Sequence, residues 1–177
     1  KAFRGLGLLT SKPVLYILNV DEAAAADGNE LSAKAEQMAK AEGARSVVIS
    51  ARIEEEIVQL TDAAEKAEFL ESIGLKETGL ARVIRAGHEL LHLITFFTVG
   101  PKEVRAWTIP LGSTAQEAAG TIHTDFARGF IAAETIFYDD FIALGGEQPA
   151  KDAGKMRSEG RDYTVKDGDV MLFRFNV

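Results

Sequence analysis

Residues 12–22 read KPVLYILNVDE, and from Val14 to Leu18 the chain is an unbroken apolar run that starts after a proline and stops on Asn-Val-Asp-Glu. Such a run predicts a strand buried on both faces, as in parallel sheets with helices above and below. ELSAKAEQMAKAEG, residues 30–43, follows as a helix that ends at Gly43. SVVISA, residues 46–51, is a second buried strand. Strand, helix, strand at this spacing is a βαβ unit, so the first region is α/β with parallel strands. Ligands in open α/β sheets bind at the C-terminal strand edge. The polar edge from Asn19 to Glu22 is therefore either a reader of a nucleotide base or a polar loop closing a strand.

From Ile53 the pattern turns helical through Ile57 and Leu60, and again through Phe69, Leu70 and Ile73 after recapping at Thr61. Thr78 caps a further helix whose apolar stripe is Leu80, Val83, Ile84, Gly87 and Leu91. His88 and His92 stand four residues apart on that helix, the spacing of a metal-ligand pair. With no third ligand and no Glu-x-x-His pattern, they read as surface or core-edge histidines rather than a zinc site.

The second half changes character. LITFFTVG and EVRAWTIP form a hairpin around Gly100-Pro101. A helix follows, capped by Ser113 or Thr114, with Ala115, Ala118, Ala119, Ile122 and Phe126 on one face. FIAAETIFY is a strand, DAGKMRSEG a short helix, and YTVKDGDVMLFRF a closing hairpin around Asp167-Gly168. This order fits an α+β, ubiquitin-like β-grasp module, with a boundary near Leu91 to Leu93 and domains at 1–91 and 92–177.

Composition narrows the function classes. The chain has 177 residues with a net charge of −7, and the segments before and after Leu91 carry −4 and −3, so neither half is a general coat for nucleic acid. There is no cysteine, hence no disulfide partner or thiolate metal site, and a reducing cytoplasm fits. No apolar run reaches the length of a membrane span and no signal peptide opens the chain. The start without Met points to a segment of a longer protein. One local basic cluster, KDAGKMRSEGR at 151–161, sets four cations against two carboxylates, either as a solvated face or as a contact surface.

The chemistry of the strand edge can be weighed against the guanine-reading tetrad Asn-Lys-x-Asp. There the Asp carboxylate accepts two N–H bonds from the base, the Lys stem covers its plane, and the Asn tethers neighbouring loops. Here the tetrad is Asn19-Val20-Asp21-Glu22, so the Lys position holds Val20 and the carboxylate of Glu22 lies one methylene further out. That displacement is about 1.5 Å, enough to spoil a bidentate contact. Ser50-Ala51 closes the second strand, where backbone N–H groups can approach a base. A turn-forming loop uses the same residue types, so both readings stand.

KPVLYILNVDE, GLARVIRAG, TFFTVGPKEVRAWTIPLGSTAQEAAGTIHTDFARGFIAAE and KDAGKMRSEGRDYTVKDGDVMLFRFNV together resemble the C-terminal half of the YchF/Obg-like ATPases, TRAFAC-class P-loop NTPases. The resemblance runs over nearly the whole chain and is densest after Gly79. It implies the last part of an OBG-type nucleotide-binding domain followed by a TGS domain of β-grasp fold. It further implies Asn-x-x-Glu as the base-reading motif with ATP preferred over GTP, and so Asn19, Val20, Glu22, Ser50 and Ala51 as nucleotide-binding residues. ATP with Mg²⁺ is the expected cofactor, and the ribosome or its RNA the expected partner in regulating translation or a stress response. This sequence holds no G-x-x-x-x-G-K-[ST] loop and no D-x-x-G, so catalytic residues and Mg²⁺ ligands are expected outside it, and the segment alone is expected to be inactive. The alternative is a TGS-type adaptor to RNA or the ribosome without catalysis. His123, in GTIHTDF, has no readable partner for general-base work and reads as structural. Arg105 and Trp107 share a face, as a core Trp with a flanking Arg or as a stacking platform for a base.

Overall fold

The apolar run does form a strand. In the computed structural model, which describes residues 5–101 and 103–176, strand β1 spans Leu15–Asn19. It pairs in parallel with β2, Arg45–Ile49, in register from Leu15 against Arg45 to Asn19 against Ile49. The chain divides into two units, Lys1–Leu91 and His92–Val177.

In the first unit, helix α1 (Glu30–Ala41) links the two strands. Asn29 starts it with a capping box: its carboxamide oxygen accepts from the N–H groups of Leu31 and Ser32, while Ser32 Oγ accepts from the N–H of Asn29. Three more helices follow: α2 (Ala51–Gln59), α3 (Ala63–Ser72) and α4 (Gly79–Leu90). Asp62 rather than Thr61 caps α3, accepting from Ala64 and Glu65. Thr78 caps α4 as its sequence position predicts. Glu54 of α2 adds a second cap, accepting from the N–H groups of Gly79 (2.6 Å) and Leu80 (3.2 Å). Gly79 is required by this approach, since a Cβ there would lie 2.9 Å from both Ile49 Cγ2 and Glu54 Oε1.

The first-unit core gathers Ala25, Ile53, Ile57 and Leu70, flanked by Phe69, Ile73 and Leu75. The expectation that β1 is buried on both faces does not hold: Ile17 is 42% exposed. Among the described residues this sheet has two strands, and α1 and α4 pack against them without enclosing the pair. Leu80 and Ile84 of the α4 stripe are likewise more than half exposed. His92 lies beyond the helix at φ +53°, so His88 and His92 do not share a helical face. No group of three His, Cys, Asp or Glu among the described residues is placed to hold a metal.

The second unit is a five-stranded sheet whose strands, β3 to β7 in chain order, lie side by side as Val104–Pro110 (β4), Leu93–Val99 (β3), Val170–Phe175 (β7), Phe130–Ile136 (β5) and Arg157–Glu159 (β6). Strands β3 (Leu93–Val99) and β4 (Val104–Pro110) form the expected antiparallel hairpin. Helices α5 (Ala115–Ile122) and α6 (Thr124–Arg128) follow. Thr114 caps α5 in a capping box with Glu117. Ala115, Ala118 and Ala119 are fully buried, and such small residues let the helix lie close on the sheet. Strand β5 (Phe130–Ile136) leads through α7 (Tyr138–Leu144) and α8 (Glu147–Asp152) to the short β6 (Arg157–Glu159).

The last strand, β7 (Val170–Phe175), is antiparallel to β5 and meets β3 in parallel at Phe97 and Val170. Two expectations are corrected here. Residues 157–159 of DAGKMRSEG are a strand, because β5 offers them a free edge. YTVKDGDVMLFRF is no hairpin: Asp167 turns the chain by accepting the Thr95 N–H, and Gly168, at φ +84°, donates to the Thr95 carbonyl. Only β7 then enters the sheet, between β3 and β5. The core is Ile94, Phe96, Ile109, Phe130, Ala133, Val165, Met171 and Phe173, with Phe96 edge-on to Phe173 at 5.9 Å between centroids.

Candidate functional site

The parallel register of β1 and β2 ends Asn19 beside Ile49, so both strands finish at one edge. Beyond it the chains are tied twice. The Val20 N–H donates to the Ile49 carbonyl at 2.8 Å, and Asn19 Oδ1 accepts the Ala51 N–H at 2.9 Å. Asn19 and Ala51 are thus joined directly, while Ser50, the residue before Ala51, starts α2 without capping it. Ser50 is 3% exposed, and its hydroxyl has no hydrogen-bond partner among the described residues.

Asp21 and Glu22 divide their tasks. Asp21 caps the 3-10 turn Glu22–Ala24, with Oδ1 accepting from the Ala24 N–H. One of its oxygens is thus engaged locally, while Glu22 extends beyond the turn. Glu22 Oε1 lies 2.9 Å from Nε of Arg52, the second residue of α2, as an ion pair in which the two side chains stay 50% and 71% exposed. Sequence reasoning did not single out Arg52, since a basic residue in a helix's first turn has no local signature. Nor did it find Glu54, whose role as cap of α4 depends on a contact 25 residues away.

In the second unit the basic cluster at 151–161 does not form one surface. Lys155 pairs with Asp140 at 3.2 Å. Arg157 lies over the Phe137 ring at 3.9 Å and 3.9 Å from the fully buried Asp169. Asp169 Oδ2 accepts from the Tyr163 hydroxyl (2.8 Å) and the Lys166 N–H (2.9 Å). Burial, and then the bond to Asp169, push the Tyr163 hydroxyl up to about 12. Lys151, Lys155 and Arg161 are exposed, and Arg157 is half-buried.

His123 caps α6, its Nδ1 accepting from the Asp125 N–H at 3.2 Å, which is the structural role its sequence setting suggests. Arg105 sits over Trp107 at 4.2 Å, and the indole N–H donates to Thr98. Trp107, Ile122, Phe126 and Phe175 line an open groove of about 410 Å³. No described helix is long and apolar enough to cross a membrane.

Comparison with known proteins places these features in a family. Residues 93–176 match the family model YchF-GTPase_C, described as a protein of unknown function (DUF933). A protein of Pasteurella multocida described as "Ribosome-binding ATPase YchF" is 56% identical over 180 residues, covering all of this chain and 48% of its own length. The Bacillus subtilis protein of the same description is 52% identical, with 100% of this chain and 49% of its own length covered. The chain thus spans about half the length of the curated relatives it matches. The Schizosaccharomyces pombe YchF GTPase structure superposes with a TM-score of 0.81 at 32% identity, over 97% of this chain and 46% of that one. A GTP-binding protein of Pyrococcus horikoshii, at TM-score 0.63 and 22% identity, shares the fold. The chain belongs to the YchF family, corresponding to its C-terminal part.

Proposed function

We propose that these residues are the base-reading edge and the β-grasp TGS domain of a ribosome-associated P-loop ATPase of the cytoplasm. ATP is the nucleotide, with its adenine held at Asn19, Val20, Glu22, Ser50 and Ala51. The observation that carries this reading is the bond from the Ala51 N–H to Asn19 Oδ1. A guanine at this edge would need a donor for its O6, and the Ala51 donor is already taken. Adenine carries an amine at that position and needs none. The one-methylene reach of Glu22 fits the same base.

The P-loop and the Mg²⁺ ligands belong, in this reading, to residues outside the 177 described by this sequence. When bound, ATP and its metal supply the phosphoryl chemistry, and the chain itself selects the base. The second unit supports a β-grasp assignment through its connectivity: a hairpin, a helix across the sheet, and a last strand inserted between the first and third. Ribosome association rests on what the relatives are described as binding. In the alternative, the second unit is an RNA or ribosome adaptor and nucleotide is not hydrolysed, an outcome that an ATPase assay of the full-length protein separates from the first.

Base choice is tested by the double substitution Val20→Lys and Glu22→Asp in the full-length protein. It restores the spacing of a guanine tetrad, and the ratio of ATP to GTP affinity should fall at least tenfold. Unchanged affinities for both nucleotides would remove Glu22 as the discriminator.

A further inference from the structure

We propose that Arg52 reads adenine together with Glu22, the pair presenting one donor and one acceptor to the Watson–Crick edge of the base. This rests on the base-site reading above and adds to it a residue that the tetrad does not contain. A carboxylate alone is the wrong partner for adenine. It offers only acceptors, and these suit the adjacent N1–H and N2–H groups of guanine. Adenine presents a donor at N6 beside an acceptor at N1. A lone Glu22 would satisfy the amine and set its second oxygen against the N1 lone pair. Adenine therefore calls for a donor next to the acid.

The structure places one there. Arg52 stands 2.9 Å from Glu22 Oε1, so a guanidinium, which carries five N–H donors and no acceptor, flanks the carboxylate. The two side chains come from the two elements that build the edge. Glu22 follows β1, and Arg52 lies one residue beyond Ala51, whose N–H is tied to Asn19. Asp21 has one carboxylate oxygen engaged in capping the turn, whereas Glu22 reaches Arg52. Both members of the pair keep half or more of their surface exposed, so the pair contributes little to folding and stays open to a ligand. A base stacked at the edge would exclude water from the pair, and its hydrogen bonds would then discriminate more strongly than in solvent. For guanine the same pair is mismatched: the Arg52 donor, facing N1–H, would meet another donor.

The test uses the full-length protein, with Arg52→Ala and Arg52→Lys as variants. The probes are ATP, GTP and 1-deaza-ATP, in which a C–H replaces N1, with dissociation constants read by calorimetry. The wild type should bind 1-deaza-ATP about tenfold more weakly than ATP. Arg52→Ala should bind ATP about tenfold more weakly than the wild type while no longer distinguishing it from 1-deaza-ATP. Arg52→Lys, which keeps a donor, should recover part of the distinction. A merely structural Arg52 would weaken both adenine nucleotides equally and leave their ratio as in the wild type, and that result overturns the assignment. If the wild type shows no preference for ATP over GTP, the base-site reading fails and this inference with it. If the preference stands but Arg52→Ala keeps the wild-type ratio, only the role of Arg52 falls.

Discussion

Replacing Asp169 with Ala should unfold the second unit more readily than any surface change. Asp169 has no exposed surface, and three elements depend on it. Its carboxylate accepts from the Tyr163 hydroxyl at 2.8 Å and the Lys166 N–H at 2.9 Å, and the guanidinium of Arg157 lies 3.9 Å away. Its backbone carbonyl accepts the Phe97 N–H at 2.8 Å, next to the point where β7 joins β3. Each hydrogen bond to a buried charge is worth about 1.5–3 kcal/mol. Breaking a fully buried ion pair costs about 3–5 kcal/mol, and Arg157, 33% exposed and 3.9 Å away, adds less than that. The two figures describe overlapping interactions, so the expected loss is about 4 kcal/mol, a large part of the 5–15 kcal/mol typical of a domain.

The single tryptophan, Trp107, lies in the second unit, so its fluorescence follows that unit's unfolding in urea. With a slope of about 1–1.5 kcal/mol per molar for a unit of this size, the midpoint should fall by about 3 M. Asp169→Asn keeps the shape and one acceptor, and should lie between the two. A midpoint shift below about 0.5 M for Asp169→Ala would mean that the carboxylate does not hold the turn, and would refute the reasoning.

Two further outcomes follow from the second unit. Gly129→Ala would put a Cβ 2.0 Å from the Asn176 carbonyl oxygen, an atom of the backbone that has no rotamer to escape into. A loss of about 1–3 kcal/mol in the same urea titration is expected, and an unchanged midpoint would show that the chain end yields freely. Tyr163 gives an alkaline signature. Its folded hydroxyl is raised to about 12 from an ordinary 10.0, so the fold favours the neutral phenol. The stability it contributes is complete below pH 10 and is lost as pH rises from 10 through 12. Ultraviolet titration of the phenolates should contain a step near pH 12 that Tyr163→Phe removes, and a titration unaltered by that substitution would contradict the assigned environment.

The local elements were largely written in local residues. Thr78, and the pair Ser113-Thr114 of which Thr114 is the cap, announce their helices because a cap needs only its own hydroxyl and the next three N–H groups. The hairpin from Leu93 to Pro110 is carried by Gly100-Pro101 and two alternating runs. Where the sequence reading went astray, a distant partner decided. Residues 157–159 are a strand only because β5 lies alongside, and DGDV is a crossover rather than a hairpin because Asp167 and Gly168 bond to Thr95, more than 70 residues earlier. Ile17 reads as core by its neighbours in the chain but is exposed, since burial depends on how many strands and helices flank it.

The base-reading edge divides in the same way. By itself the sequence determined that two apolar strands end on Asn-Val-Asp-Glu and Ser-Ala, because hydrophobic runs and turn residues are local signals. It also determined that Lys is missing from the tetrad and that its acid is a glutamate. Only the tertiary structure decided that Asn19 takes the Ala51 N–H and that Arg52 stands against Glu22. Those are choices among hydrogen-bond partners up to 32 residues apart. No propensity encodes them, because each depends on the parallel register that brings the two strand ends side by side.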